Sequence, residues 1–292
     1  MKILLVGARG QLGSDLLQVL AAAGHQVVPI EHSGFDVCST KQVDHLIEIV
    51  RPEFVINTAA FHKVEECEEH ALRSFEVNAV GPLNLARACS RSKVVLVHFS
   101  TDYVFDGRKQ TPYEESDIPS PVNVYGASKV AGENLVACNT ERYFIVRTCG
   151  LYGHAGSSGK GGNFVETMLK KAAARETIRV VNDQVLTPTS TVDLAVLVSQ
   201  LIRTEAFGLY HVSCEGGCSW YEFAREIFAI QNLHVSLVPV RTEVFASSVK
   251  RPSYSVLSKR RLNQLRLSMP DWRSSLDRYL RARIKEHGIM SA

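Results

Sequence analysis

The stretch that most constrains this chain is its beginning, "MKILLVGARGQLGSDLLQVLAAAG". Lys2 to Val6 is a short apolar run. Gly7, Gly10 and Gly13 follow, and Leu12, Leu16, Leu17 and Leu20 then recur at helical spacing up to Gly24. Strand, glycine turn and helix in that order open a parallel α/β sheet. The pattern repeats along the chain. "HQVVPI", "EFVIN", "KVVLVHFS" and "RYFIVR" read as further strands. "STKQVDHLIEIV", "HALRSFEVNAVGPLNLARACSR" and "VYGASKVAGENLVAC" read as helices. Strands apolar on both faces, alternating with helices, predict an α/β fold with a Rossmann-type, doubly wound parallel sheet.

After about Thr148 the rhythm loosens. "GLYGHAGSSGKGGN" holds six glycines, and the later signals come at irregular intervals: "FVETMLKKAAA", "IRVV", "VDLAVLVSQLI", "GLYHVS", "WYEFAREIFAI". We read 1–150 as a dinucleotide-binding Rossmann domain to which later segments can return. Residues 151–292 read mainly as a smaller C-terminal substrate-binding lobe. No Pro- or Ser-rich linker divides them. "GSSGK" (156–160) imitates a phosphate loop, but its spacing fails and Gly161 follows the lysine. It reads as a mobile loop at the substrate entrance.

Charge and cysteine usage remove several function classes. With 33 basic and 30 acidic residues the net charge is +3, too balanced to favour nucleic acid. The basic tail (Arg278, Arg281, Arg283, Lys285) reads as a solvated helix face. The first apolar run is too short for a signal-peptide core, and no run approaches a membrane span. Seven scattered cysteines, with Cys214 and Cys218 the closest pair, show no zinc spacing. A cytoplasmic chain with reduced thiols, no metal and no membrane partner is expected.

The glycine turn has a specific chemical use. Glycines allow a tight turn and close approach of a pyrophosphate, and the next helix offers free N–H groups and a positive dipole end. Gly7, Gly10, Gln11, Leu12 and Gly13 are therefore candidate cofactor residues. About twenty residues on, a carboxylate can read the ribose; Glu31 stands there and favours NADH. Arg9 and His32 could instead meet a 2′-phosphate, so NADPH and NADH both stay open. Asp36 and Val37 are candidates for the adenine side.

Ser100 and Thr101 end the fourth strand, where a parallel sheet holds its ligand. "YGASK" starts a helix two dozen residues later. Tyr125 and Lys129 lie four apart and so share one helix face. A phenol, an ammonium and a hydroxyl beside a nicotinamide suit ketone reduction, with the tyrosine as proton donor. A free tyrosine titrates near 10, and a neighbouring lysine is expected to lower that value. Thr101 would hold the carbonyl oxygen.

"GARGQLG", "VINTAA", "FEVNAVGPLNLARAC", "STDYVFDG", "YGASK" and "RTCGLYG" together resemble the extended short-chain dehydrogenase/reductase superfamily, over essentially the whole chain. Within it, "STDYVFDG", "YGASKVAGE", "DQVLTPTSTVDLA" and "RPSYSVLS" are similar to the dTDP-4-dehydrorhamnose reductase family. The resemblance implies reduction of the 4-keto group of a dTDP-linked 4-keto-6-deoxy sugar. It implies Thr101, Tyr125 and Lys129 as the catalytic trio and Ala59 and Ala60 along the cofactor. It implies Thr101, Asp102, Asn163 and Arg251 near the sugar nucleotide. Asn163 also reads as a helix N-cap, and Arg251 as a partner of the fold's own acidic groups.

The chain departs from that family in places. Gly150 stands where the family has a tryptophan against the sugar. Phe61-His62 replaces Tyr-Thr. Val192 takes the place of a glutamate that binds magnesium at a dimer interface in some members, so either a monomer or a homodimer is compatible. Two other readings stay open: a reductase of a different nucleotide-linked keto sugar, and an NADP-binding regulatory subunit resembling methionine adenosyltransferase β. A dehydratase or epimerase of the superfamily would call for a further acid or base, for which Asp102 and His62 are the candidates.

Overall fold

The computed structural model describes residues 1–31, 33–155, 162–245 and 249–289, with side chains described up to residue 284. His32, the "GSSGK" loop and the Lys285 side chain lie outside the described residues.

Six strands form one wholly parallel sheet: β1 (Lys2–Val6), β2 (Gln26–Ile30), β3 (Phe54–Asn57), β4 (Val95–Thr101), β5 (Tyr143–Thr148) and β6 (Gly208–His211). Their order is β6-β5-β4-β3-β1-β2. The direction of strand addition therefore reverses between β1 and β3, the switch point where α/β sheets hold ligands.

Alternation within β1 shows why both faces are apolar. Ile3 and Leu5 enter one core with Leu12, Leu16 and Leu20 of α1 (Gln11–Ala22). Leu4 and Val6 enter the other, with Val43 and Ile47 of α2 (Thr40–Val50) and Leu85 of α3 (Gly81–Ser92). Neither set has water to face, so the period-two pattern of a one-sided strand is absent.

The helical stretch before α3 is not continuous. Val64–Glu69 and Ala71–Phe75 are short helices, and Glu76–Val80 is a π-turn leading into α3. Pro82 has no N–H to give the Asn78 carbonyl, so the regular ladder cannot run through this point. The Asn78 side chain is turned to other use. It accepts from the Phe61 N–H at 2.9 Å and donates to the Phe61 carbonyl at 2.8 Å and to Ser128 Oγ at 3.0 Å. The π-turn is thereby sewn to α4 (Val124–Asn139), the helix that carries "YGASK".

The second half returns to the sheet. After α5 (Phe164–Ala173), helix α6 (Thr191–Leu201) lays Leu194, Ala195 and Val198 into the core of α1, and the Thr191 hydroxyl donates to buried Asp15. β6 then pairs with β5. α7 (Trp220–Ile230) and α8 (Trp272–Ile289) complete the chain. The basic tail is not simply a solvated face. Arg278 meets Asp193 of α6 at 2.9 Å, Arg283 meets Glu166 of α5 at 2.7 Å, and Arg281 pairs within its own helix. The described cysteines are all free.

Candidate active site

The site is built on the carboxyl ends of β1, β3, β4 and β5. At the glycine turn Gly7 adopts φ +82°, and Gly10 caps α1 without any side-chain hydrogen bond. A Cβ on Gly13 would lie 2.1 Å from the Gly7 carbonyl oxygen. The Thr58 hydroxyl, just past β3, donates to the carbonyls of Val6 (2.8 Å) and Gly7 (3.1 Å), fixing the two loops side by side. Ala59 and Ala60 follow, half-buried, with the Ala59 N–H on Asn57 Oδ1 at 3.1 Å. Leu12 is buried, and Gln11 turns a buried Oε1 inward that has no partner among the described residues. A helix N-terminus with no cap, a backbone cradle that a methyl group would fill and an orphaned amide oxygen fit a dinucleotide pyrophosphate.

The adenosine end differs from expectation in detail. The Glu31 carboxylate is held by Arg9 Nε of the glycine turn at 2.6 Å, so the two side chains expected to compete for the ribose read each other. Asp36 Oδ1 accepts from the Cys38 N–H at 3.0 Å, making an Asx turn ahead of α2. Val37 is a core residue packed with α3.

Thr101, Tyr125 and Lys129 do come together. Thr101 ends β4, opposite Thr148 of β5. Its hydroxyl donates to Asp102 Oδ1 (3.1 Å) and accepts from the Tyr103 N–H (3.1 Å), and it acts on the nearby Tyr125 phenol. α4 is clamped at its start: the Asn123 side chain accepts from the Gly126 N–H at 2.8 Å, and Glu68 accepts from the Val124 N–H at 2.8 Å. The Asn123 amide also donates to the Lys250 carbonyl at 2.9 Å, so the later half of the chain helps hold the helix. Gly126 is required for this docking, because a Cβ there would lie 2.2 Å from the Tyr103 carbonyl oxygen. Tyr103 meets the Tyr125 ring edge-on, with centroids 5.9 Å apart.

The electrostatics correct the expected tuning. Tyr125 is half-buried, and the loss of water around its phenol raises it above its ordinary value; the Thr101 hydroxyl pulls it down, while Asp102 and Cys67 push it up. Lys129 is not among the groups acting on it. Its ammonium is buried and donates to the Phe99 carbonyl at 2.7 Å. Burial lowers Lys129 to about 8, against an upward pull from Glu133.

Two expected sugar ligands are occupied inside the protein. Asp102 is 4% exposed and takes hydrogen bonds from Thr101 and from Cys149 Sγ at 3.1 Å, and Ser255 meets the same Cys149. Asn163 caps α5 through the Glu166 N–H (3.0 Å) and gives its amide protons to the Gly153 carbonyl (2.9 Å) and Tyr279 (3.2 Å). Arg251 reaches across to Glu65 of the Val64–Glu69 helix and also meets the Val249 carbonyl. His62 packs half-buried against its own loop. Gly150 has φ +56°, and a Cβ there would come within 2.8 Å of Leu186, so this backbone leaves no room for a tryptophan. Among the described residues no group of three or more His, Cys, Asp or Glu could hold a metal ion.

Tyr103, Asn123, Cys149 and Ser255 are site residues that the sequence reading missed. Only Asn123 carried a signal, an Asn directly before a helix start.

The geometry can be set beside known proteins. Residues 1–284 match the family described as the RmlD substrate binding domain. A dTDP-4-dehydrorhamnose reductase from Bacillus anthracis str. Ames, solved in complex with NADP, superposes with a TM-score of 0.91 at 39% identity, over 96% of this chain and 98% of that one. The chain belongs to the dTDP-4-dehydrorhamnose reductase family. The spore coat polysaccharide biosynthesis protein SpsK of Bacillus subtilis (strain 168) is 40% identical over 97% of this chain and 98% of its own length. The dTDP-4-keto-6-deoxy-D-glucose reductase of Streptomyces niveus is 38% identical over 87% of each. This dTDP-4-dehydrorhamnose reductase family member carries its glycine turn and its Thr-Tyr-Lys set on a fold that superposes on that of the NADP-bound relative.

Proposed function

We propose that the chain reduces the 4-keto group of dTDP-4-dehydro-6-deoxy-L-mannose with NADPH or NADH, giving dTDP-L-rhamnose. The observation that carries the reading is the Thr101 hydroxyl at the end of β4 acting on the Tyr125 phenol, beside a turn that tolerates only glycine at position 13. Family membership supports the substrate class, and the NADP in the Bacillus anthracis relative supports the cofactor class.

Gly7, Gly10, Gln11, Leu12, Gly13, Ala59 and Ala60 would hold the cofactor's pyrophosphate and nicotinamide half, with Glu31 and Asp36 towards adenosine. When bound, the reduced nicotinamide supplies a hydride to the carbonyl carbon. The Tyr125 phenol gives its proton to the carbonyl oxygen, and Thr101 steadies that oxygen as its charge grows. To do so the Thr101 hydroxyl turns its single proton from Asp102, where it rests in the ligand-free protein, to the carbonyl oxygen. Lys129 holds the cationic side of the site. Arg251, once released from Glu65, is the cation available to the sugar nucleotide. Residues 1–150 supply the cofactor side, and most of 151–292 the substrate side. Among the described residues no helix is long and apolar enough to cross a membrane; the reading places the enzyme in the cytoplasm, acting without nucleic acid or membrane, as a monomer or homodimer.

Gly150 favours one second reading, reduction of a different dTDP-linked keto sugar, because the aromatic wall of the family is missing there. Both readings are tested by mixing the protein with each keto sugar and NADPH or NADH in separate cuvettes. Loss of the reduced-nicotinamide absorbance with wild type but not with Tyr125→Phe is the expected result, and product NMR names the sugar and its C4 configuration. No oxidation of either cofactor refutes the reductase reading.

A further inference from the structure

α4 carries a third side chain in register with the first two. Tyr125, Lys129 and Glu133 follow at four-residue steps, so they stack on one face a turn apart. Glu133 is 3% exposed and faces no solvent. Its carboxylate is gripped at both oxygens by Arg147 of β5, at 2.9 and 2.6 Å. The Arg147 guanidinium lies 5.1 Å from the Phe105 ring centroid and meets His211 Nε2 at 3.4 Å. Arg147 is paired in the sheet with Ser100, one residue before Thr101. The buried pair therefore ties α4, two turns beyond Tyr125, to the strand beside β4.

We infer that Glu133, anchored by Arg147, is a positioning residue for Lys129: its negative charge keeps the buried lysine in the ammonium form and fixes it in line with Tyr125. The surrounding groups leave that task to Glu133. His98 of β4, the titratable neighbour on the sheet side, is buried and held neutral, partly by Lys129 itself. His211 of β6, on the far side of Arg147, is held neutral too. Tyr125 remains a neutral phenol. The Phe99 carbonyl supplies a dipole but no charge. Among the described groups acting on Lys129, Glu133 supplies the upward pull. Arg147 holds the carboxylate in place by its two-point grip and is not itself among the groups acting on Lys129. A pair that served only to join α4 to β5 would do so equally well as an uncharged hydrogen bond.

The inference uses the proposed catalytic role of Lys129, so the test separates the two. The protein is labelled with [ε-13C]lysine, and the Lys129 signal is assigned by its loss in Lys129→Met. Surface lysines titrate near 10.4, so a buried one near 8 stands apart. In Glu133→Gln, which keeps the shape and a hydrogen bond to Arg147, the Lys129 midpoint is expected to fall by roughly one pH unit. Arg147→Lys keeps the carboxylate and should leave the midpoint where it is or raise it. Should Glu133→Gln fail to fold, Glu133→Gln/Arg147→Met removes both charges and should show the same fall. A folded variant lacking the carboxylate whose Lys129 midpoint stays within about 0.3 of wild type overturns the inference. The NMR readout needs neither cofactor nor turnover. A moved midpoint in a protein that oxidises no cofactor would sink the reductase reading alone, and an unmoved midpoint in an active enzyme would sink only the role of Glu133.

Discussion

Gly13→Ala tests the link between the opening of the sequence and the cofactor cradle. The new Cβ would stand 2.1 Å from the Gly7 oxygen and 2.9 Å from Ala8 Cα, both backbone atoms. No side chain can swing away to relieve that contact, so the turn itself must retreat by about 1 Å. Overpacking of this kind costs about 1–3 kcal/mol. In a chain of this size that lowers Tm by roughly 2–10 °C. Retreat of the turn also carries Gly7 and Gly10 away from the N-terminus of α1, so NADPH affinity should fall at least about tenfold, or about 1.4 kcal/mol. Gly24→Ala is the control. Gly24 has φ +79° but nothing within 4 Å of its Cβ, so it loses only the left-handed preference, about 1–2 kcal/mol, and keeps full affinity. Both variants are read by thermal melts and by NADPH fluorescence titration. A Gly13→Ala protein that binds NADPH as wild type does would refute the cradle, whatever its Tm.

Tyr125→Phe should lower turnover about 10²–10⁴-fold while cofactor binding is retained, measured by absorbance and titration side by side. Arg147→Met leaves the Glu133 carboxylate buried without its partner, and should cost about 3–5 kcal/mol in urea unfolding. Removing the exposed Arg281 partner of Asp277 should change stability by less than about 0.5 kcal/mol. His211 is lowered to about 3 by burial and by Arg147, from an ordinary 6.5. Between those values the unfolded chain holds a proton that the folded chain does not, so the His211 contribution is complete above about 6.5 and is lost as pH falls towards 3. Unfolding at pH 7.0, 5.5 and 4.5 should show that loss, and His211→Gln should flatten part of it; an acid limb of unchanged slope contradicts the assignment.

The sheet was legible in the sequence because each of its first five strands is apolar on both faces and bounded by a helix of clear period. The trio was legible for a similar reason: Tyr125 and Lys129 are neighbours along one helix, and Thr101 ends a strand. The groups that set the chemistry of that trio are long-range pairs, and periodicity carries no information about them. Glu133 stood in the same string, "YGASKVAGE", at the next helical step, but its partner Arg147 is reached only once β5 lies beside α4. Cys149 meets Asp102, and Ser255 meets Cys149 from a segment about a hundred residues further on, so Asp102 read as a free ligand. The π-turn was hidden in a stretch whose apolar spacing looked continuous, although Pro82 marked the place. Glu31 was found at the right distance, but its capture by Arg9 depends on how the glycine turn faces the end of β2.

Burial orders the proton affinities of the site. It raises the Tyr125 phenol, because a phenolate would be poorly solvated, and lowers Lys129 to about 8, because an ammonium would be too. The two effects widen the gap between the groups in one direction. On raising the pH, Lys129 gives up its proton while Tyr125 keeps its own, so the ligand-free site does not hold a phenolate beside an ammonium. The lysine is turned to the Phe99 carbonyl, and the hydroxyl of Thr101 is what eases the phenol back. A tyrosine kept protonated across the neutral range is an acid ready for an oxygen that is gaining charge, which is the demand of ketone reduction. Alcohol oxidation would need the phenolate, the form that burial makes scarce. Burial thus keeps the Tyr125 phenol in the proton-bearing form that the reduction draws on, one helical turn from Lys129.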